Sequence, residues 1–179
     1  PACLRAVGSP AASGFTVHSL AYQGAFAAHH FGELGLPAHF FDVNGLEFHG
    51  SLNFMKAGLF FADRLSTVSP TYAEEIQHHE QGMGLDGLLR SRGEVLHGIL
   101  NGVDDAVWNP QHDPLIPAPY EPRNMTGKAR CKAELQARLG LGDAADTPLF
   151  IVVSRLTEQK GLHLVLRSLH YMAGGVATK

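Results

Sequence analysis

Cysteine, tryptophan and surplus charge are all scarce in this chain of 179 residues. Its two cysteines, Cys3 and Cys131, supply neither a disulfide framework nor the paired spacing of a zinc site, which fits a reducing compartment. No apolar run is long enough to span a bilayer, so no membrane partner is expected. A net charge of −3 lacks the basic balance that nucleic-acid binding requires. Pro1 to Gly14 has no charged-then-apolar leader and does not read as a secretory signal; its Ala, Gly, Ser and Pro content predicts a loop or frayed end. Internal repeats and low-complexity tracts are absent.

Histidine is plentiful by contrast, at eleven residues, and the pairs His29-His30 and His78-His79 raise the question of a metal. Neither pair sits in a His-Glu-x-x-His arrangement, and adjacent residues on a helix point in different directions, so no metal site is expected. At 45% hydrophobic and 17% charged, the chain has an ordinary globular profile and can bury one sizeable core.

Hydrophobic patterning divides the chain into α/β units. Thr16-Val17 reads as the end of a buried strand, with His18 at its carboxyl end and Gly24 permitting a tight turn. Ala27 to Gly50 has no clear period and reads as irregular with short helical pieces. Asn53 to Ala62 is helical and Arg64 to Val68 a strand; Ser69-Pro70 opens a helix as cap and first residue, placing Glu74 and Glu75 near its N-terminus. Asp86 to Arg92 reads as a helix whose first carboxylate is solvated, and Val95 to Leu100 as a strand. The turn formers from Asn101 onward, through Asn109-Pro110, Asp113-Pro114 and Pro122, mark the expected domain boundary. Trp108 in that segment reads as a packing anchor, with sugar stacking as the alternative. Helical pattern returns from Thr126 to Leu139, with Gly140 placed to end it.

Pro148 to Leu169 carries the most information. The apolar run Leu149-Phe150-Ile151-Val152-Val153 suits a strand buried on both faces of a parallel sheet, and Leu162, Val165, Leu166 and Leu169 share one helical face. Between them lies Ser154-Arg155-Leu156-Thr157-Glu158-Gln159-Lys160-Gly161. Ligands of parallel sheets sit beyond the carboxyl ends of the strands, where the following helix N-terminus also favours anions. Arg155 and Lys160 therefore read as a diphosphate grip, with a merely solvated connection as the bland alternative.

This loop resembles the Ser-Arg-Leu-Thr-x-Gln-Lys-Gly loop of bacterial glycogen synthases and plant starch synthases. Phe15-Thr16-Val17-His18-Ser19-Leu20-Ala21-Tyr22-Gln23-Gly24 is similar to a second segment of that family, departing from it at Ser19. Further segments follow in family order: Leu52 to Gly58, Thr67 to Ala73, Gly84 to Leu89 and Gly98 to Asp104. The resemblance covers Phe15 to Leu169 and is far more specific than a short glycine pattern.

The resemblance implies an α/β fold of two Rossmann-like domains of the GT-B type, both incomplete in this chain. Residues 1–100 would be the carboxyl part of the N-terminal synthase domain. Residues 101–179 would hold the interdomain segment and the start of the nucleotide-sugar-binding domain. The implied enzyme is a retaining glycosyltransferase that moves glucose from ADP-glucose to the non-reducing end of an α-1,4-glucan, with no cofactor and no metal. Arg155 and Lys160 would neutralise the departing diphosphate, and His18 would contact the donor glucose near the reacting carbon. Asn101 would line the glucose pocket, and Tyr22 and Gln23 would flank the cleft. A bacterial cytoplasm is implied, or a plastid for a plant protein.

The family's Lys-x-Gly-Gly-Leu and Glu-Pro-Cys-Gly-Leu segments are absent from this sequence. An inactive, poorly stable internal fragment is therefore expected. The alternatives are a short non-catalytic glucan-binding protein and a related transferase using another nucleotide sugar.

Overall fold

The computed structural model describes residues 1–142 and 144–174. Contacts divide the chain into two units, Pro1–Val103 and Asp104–Lys179.

The first unit opens with helix α1 (Ala2–Ala6) and strand β1 (Gly14–Val17), so part of the expected frayed end is helical. Arg5 explains the order: its guanidinium reaches Asp63 at 2.8 Å, while Ala2 and Ala6 pack against an apolar cluster around Phe40, Leu46, Leu52 and Ala57. Short strands β2 (Ala25–Ala27), β3 (Glu47–Phe48) and β4 (Ser51–Asn53) form an antiparallel sheet ordered β2-β4-β3. The stretch expected to be irregular thus carries paired strands beside its 3₁₀ turns at Ala28–Leu34 and Ala38–Phe40. Strands of two or three residues are too short to show a period of two.

Helix α2 (Phe54–Phe61) begins at an Asn53 cap whose side chain accepts the Lys56 N–H. It leads into β5 (Arg64–Thr67), then α3 (Pro70–Glu75), α4 (His79–Gly82), α5 (Asp86–Ser91) and β6 (Leu96–Gly98). Ser69 caps α3 with Pro70 in its first turn, as its residue types demand. Glu74 and Glu75 fall at the other end of α3, because the helix lasts only six residues. The strand expected over Val95 to Leu100 contracts to Leu96–Gly98, a 3₁₀ turn having claimed Gly93–Val95.

Strands β1, β5 and β6 pair in parallel, in that order. Val17, Leu20, Leu59, Leu65, Ile76, Leu85 and Leu89 form the core beneath them, each at most 1% exposed. Gly58 lies against the Phe15 ring, where an added Cβ would come within 2.4 Å of a ring carbon.

In the second unit, α6 (Thr126–Leu139) ends as expected at Gly140, whose φ of 65° permits two closing bonds. Gly140 donates to the Ala137 carbonyl and Leu141 to that of Gln136, the paired pattern of a Schellman motif. The last helix among the described residues is α7 (Leu162–Gly174). Leu149 to Val153, expected to be a buried strand, has no ladder, and Phe150, Ile151, Val152 and Val153 are 74%, 63%, 55% and 91% exposed. An apolar run becomes a strand only where a neighbour pairs with it, and no described segment does so. Trp108 is 76% exposed rather than a packing anchor.

Candidate active site

Parallel pairing gathers the carboxyl ends of three strands at one edge. The registers Val17↔Thr67 and Thr67↔Gly98 end the strands level, and the Thr67 hydroxyl donates to the Val17 carbonyl at 2.8 Å. His18 leaves β1 at this edge, and Ile99-Leu100-Asn101 leaves β6. Neighbouring strands lie about 4.8 Å apart, so the exits of the first and third strands are separated by about 10 Å. His18 and Asn101 are both exposed there.

Between them the exit of β5 is filled by the start of α3. The Ser69 hydroxyl accepts the Tyr72 N–H at 2.9 Å. Gly98 makes this crowding possible: a Cβ there would lie 2.2 Å from the Ser69 carbonyl oxygen and 2.3 Å from Pro70. The loop after His18 is pinned by Leu20, which is 1% exposed and whose N–H approaches the Tyr72 hydroxyl at 3.4 Å. Ser19, the departure from the family pattern, accepts the Ala21 N–H within this loop at 3.3 Å. Tyr22 is 67% exposed, whereas the Gln23 side chain folds back onto Asn53 and Met83.

The Asp86 carboxylate departs from the expected solvated state: its side chain is 16% exposed and accepts from Arg90 at 3.0 Å. The His29 and His30 rings lie together, with centroids 4.1 Å apart, within a 3₁₀ turn; His30 Nδ1 also approaches Glu33 at 2.8 Å. Among the described residues no three His, Cys, Asp or Glu side chains converge as a metal site requires.

Two residues of this region drew no role from the sequence. Asn53 is 1% and Lys56 7% exposed. Lys56 Nζ donates to the carbonyl of Val43 at 2.6 Å and to that of Glu47. Burial lowers the Lys56 pKa, opposed by the charges of Glu47 and Asp42. The available signal was a cap residue followed three positions later by a lysine inside an otherwise apolar helix.

In the second unit, Arg155 and Lys160 are both exposed and flank a tight turn. Thr157 donates to the Arg155 carbonyl at 2.9 Å, and Lys160 to that of Thr157 at 3.0 Å. Lys160 closes the 3₁₀ turn Glu158–Lys160, and Gly161, at φ 67°, redirects the chain into α7. Two cations are thus presented on one short loop before a helix of thirteen residues.

A parallel sheet with polar residues at its carboxyl edge, followed in the chain by a cationic loop before a helix, defines an α/β protein of the kind that binds ligands beyond its strand ends. Comparison sharpens this class. The starch synthase catalytic domain family matches residues 1–91, and the chain belongs to that family. The glycogen synthase of Leptothrix cholodnii is 69% identical over 159 residues, covering 89% of this chain and 33% of that protein. The glycogen synthase of Edwardsiella ictaluri is 56% identical over 178 residues, covering 98% of this chain and 37% of that protein. The catalytic domain of starch synthase IV from Arabidopsis thaliana, solved bound to ADP and acarbose, superposes with a TM-score of 0.80 at 33% identity, covering 90% of this chain and 34% of that one. The chain spans about a third of the length of the curated relatives it matches.

No described helix is long and apolar enough to cross a membrane.

Proposed function

We propose that this chain contributes to a retaining glucosyltransferase that extends an α-1,4-glucan from ADP-glucose in a bacterial cytoplasm, with two Rossmann-like domains of the GT-B type. The observation that carries this reading is that the segments bearing His18 and Asn101 leave the same carboxyl edge of the parallel sheet in a member of the starch synthase catalytic domain family. Relatives named glycogen synthase, at 56% to 69% identity, support the glucan product. The ADP and acarbose bound by the Arabidopsis protein support a nucleotide-sugar donor and a glucan-like acceptor.

The demanding step is departure of a diphosphate from the anomeric carbon. Negative charge grows on the leaving group as that bond breaks, so cations held in place beforehand stabilise the transition state more than the ground state. Arg155 supplies a planar fork of donors suited to phosphate oxygens, and Lys160 a compact charge. His18 and Asn101 take the donor glucose, with Tyr22 and Gln23 on the loop between β1 and β2. The donor is a substrate, and neither metal nor cofactor has a role in this scheme.

The test is incorporation of labelled glucose into glycogen by the purified native gene product carrying these residues, with ADP-glucose and UDP-glucose in competition. Transfer favouring ADP-glucose, with an α-1,4 product, is expected. Transfer from UDP-glucose alone would replace the donor, and binding to glycogen without transfer would replace the enzyme by a binding protein.

A further inference from the structure

We infer that Gln23 is a positioning residue, the middle link of a hydrogen-bond relay that holds the His18-to-Gly24 loop in its working shape. This rests on the glucosyltransferase reading.

The relay has only one possible polarity. At one end stands the Met83 carbonyl, which can only accept, so the Gln23 atom 3.0 Å from it is the donor Nε2. Gln23 Oε1 therefore faces Asn53, and the Asn53 atom 2.7 Å away is its donor Nδ2. Asn53 Oδ1 is left to accept the Lys56 N–H at 2.8 Å, the capping bond of α2. An acceptor-only terminus and a donor-only terminus thus orient both amides. Bonds in such a chain polarise one another, and the Asn53 link is buried.

The relay joins the loop to two other elements, the start of α2 and the turn before α5. Backbone bonds reinforce it: Phe54 donates to the Gly24 carbonyl at 3.2 Å and Met55 to that of Gln23 at 2.9 Å, so the loop's carbonyls serve the first turn of α2. Met83 is left-handed at φ 50°, an unusual conformation for a residue other than glycine, and its carbonyl is the one Gln23 holds. Each end of the Gln23 amide makes one bond to the protein, Nε2 to Met83 and Oε1 from Asn53. Its side chain is a tie between the loop, α2 and the turn before α5. Leu20 anchors the near end of the loop and Gln23 the far end, leaving the exposed Ala21-Tyr22 stretch spanned between two fixed points.

Two variants of the native gene product separate this role from simple stability. Gln23→Ala removes the middle link. Asn53→Asp keeps the oxygen that caps Lys56 but loses the donor that Gln23 requires. Each should lower kcat per folded enzyme by about 10- to 100-fold, as expected when reacting groups are misplaced by about an ångström. The KM for ADP-glucose should move much less, and the double variant should be no worse than either single one. Ser13→Ala, at the opposite end of β1, should lower Tm without lowering kcat.

Peptide-resolved hydrogen exchange reads the relay independently of activity: Gln23→Ala should speed exchange in residues 18–24 and leave β5 protected. Unchanged exchange there would overturn the relay whatever the activity. Unchanged kcat in an active enzyme would overturn the positioning role. A wild-type product without transfer would overturn the glucosyltransferase reading and this role with it, while the exchange result would still show whether the tie exists.

Discussion

Asp63 gathers both donors of Ser13, the backbone N–H at 2.7 Å and the hydroxyl at 3.0 Å, just where β1 and β5 begin. The Ser13 carbonyl returns the contact by accepting the N–H groups of Asp63 and Arg64. Those two Ser13 bonds, followed by the charge of Arg5, hold the Asp63 carboxyl below its ordinary pKa of 3.8. A carboxylate depressed in the folded state adds stability that is fully present above the unfolded pKa and disappears as pH falls through the folded one. Asp63→Asn should therefore lower Tm at neutral pH, and its deficit should close below pH 3.8. Thermal unfolding of both proteins across that range checks this; a deficit independent of pH would refute it.

Gly98 sets the spacing between the end of β6 and the start of α3. Gly98→Ala would press a methyl group against the Ser69 carbonyl and Pro70 backbone, neither of which is the flexible end of a side chain. A loss of about 1–3 kcal/mol is expected in urea unfolding. Because Asn101 follows three residues later, transfer activity should fall as well; unaltered stability would show that the edge is looser than described.

Burial makes Lys56 a second pH-sensitive point, in a more alkaline range. Lys56→Met would remove the donor to the Val43 and Glu47 carbonyls, at a cost of about 1–3 kcal/mol near neutral pH. The wild-type ammonium has a folded pKa below its ordinary 10.5, so the folded state releases its proton first as pH rises. Stability from this group should increase between the folded pKa and 10.5, widening the gap to Lys56→Met. Chemical denaturation at two pH values measures the gap, and narrowing on the alkaline side would contradict the direction.

Local chemistry made some of this fold readable. Ser69 caps α3 by the side-chain oxygen bond that its type and position announce, and Gly140 stops α6 through a left-handed backbone. The carboxyl-edge location of His18 followed from an apolar strand ending in a polar residue. Other features depend on distant partners. Leu149 to Val153 has the composition of a buried strand, yet pairing is a property of two segments, and no described segment of this chain provides the second. Glu74 and Glu75 fall in the last turn of α3 because the helix is only six residues long and stops before the fully buried Ile76. The Gln23 relay spans residues 23, 53 and 83, a connection only the folded chain displays.

Exposure along Phe150 to Val153 has a direct dynamic consequence. Amides outside any ladder exchange through small local openings, whereas those in β5 require disruption of the core around Leu65. Hydrogen exchange of the 179-residue chain should find 150–153 unprotected and 64–67 among the slowest amides. Equal protection in both segments would mean that 149–153 has found a partner in solution.

Lys160 offers the sharpest test of the chemistry. Its position is fixed by backbone rather than by side-chain packing, through the Lys160 N–H to Thr157 carbonyl bond and the left-handed Gly161 that follows. Lys160→Ala in the native gene product should leave Tm nearly unchanged, because the residue is exposed, yet lower kcat about 10²-fold through loss of one preorganised charge on the departing diphosphate. Arg155→Lys should also be poorly tolerated, since an ammonium cannot reproduce two parallel donors to phosphate oxygens. Steady-state kinetics with ADP-glucose and glycogen decide the matter: unchanged turnover in Lys160→Ala would remove this loop from the diphosphate role and return it to a solvated connection.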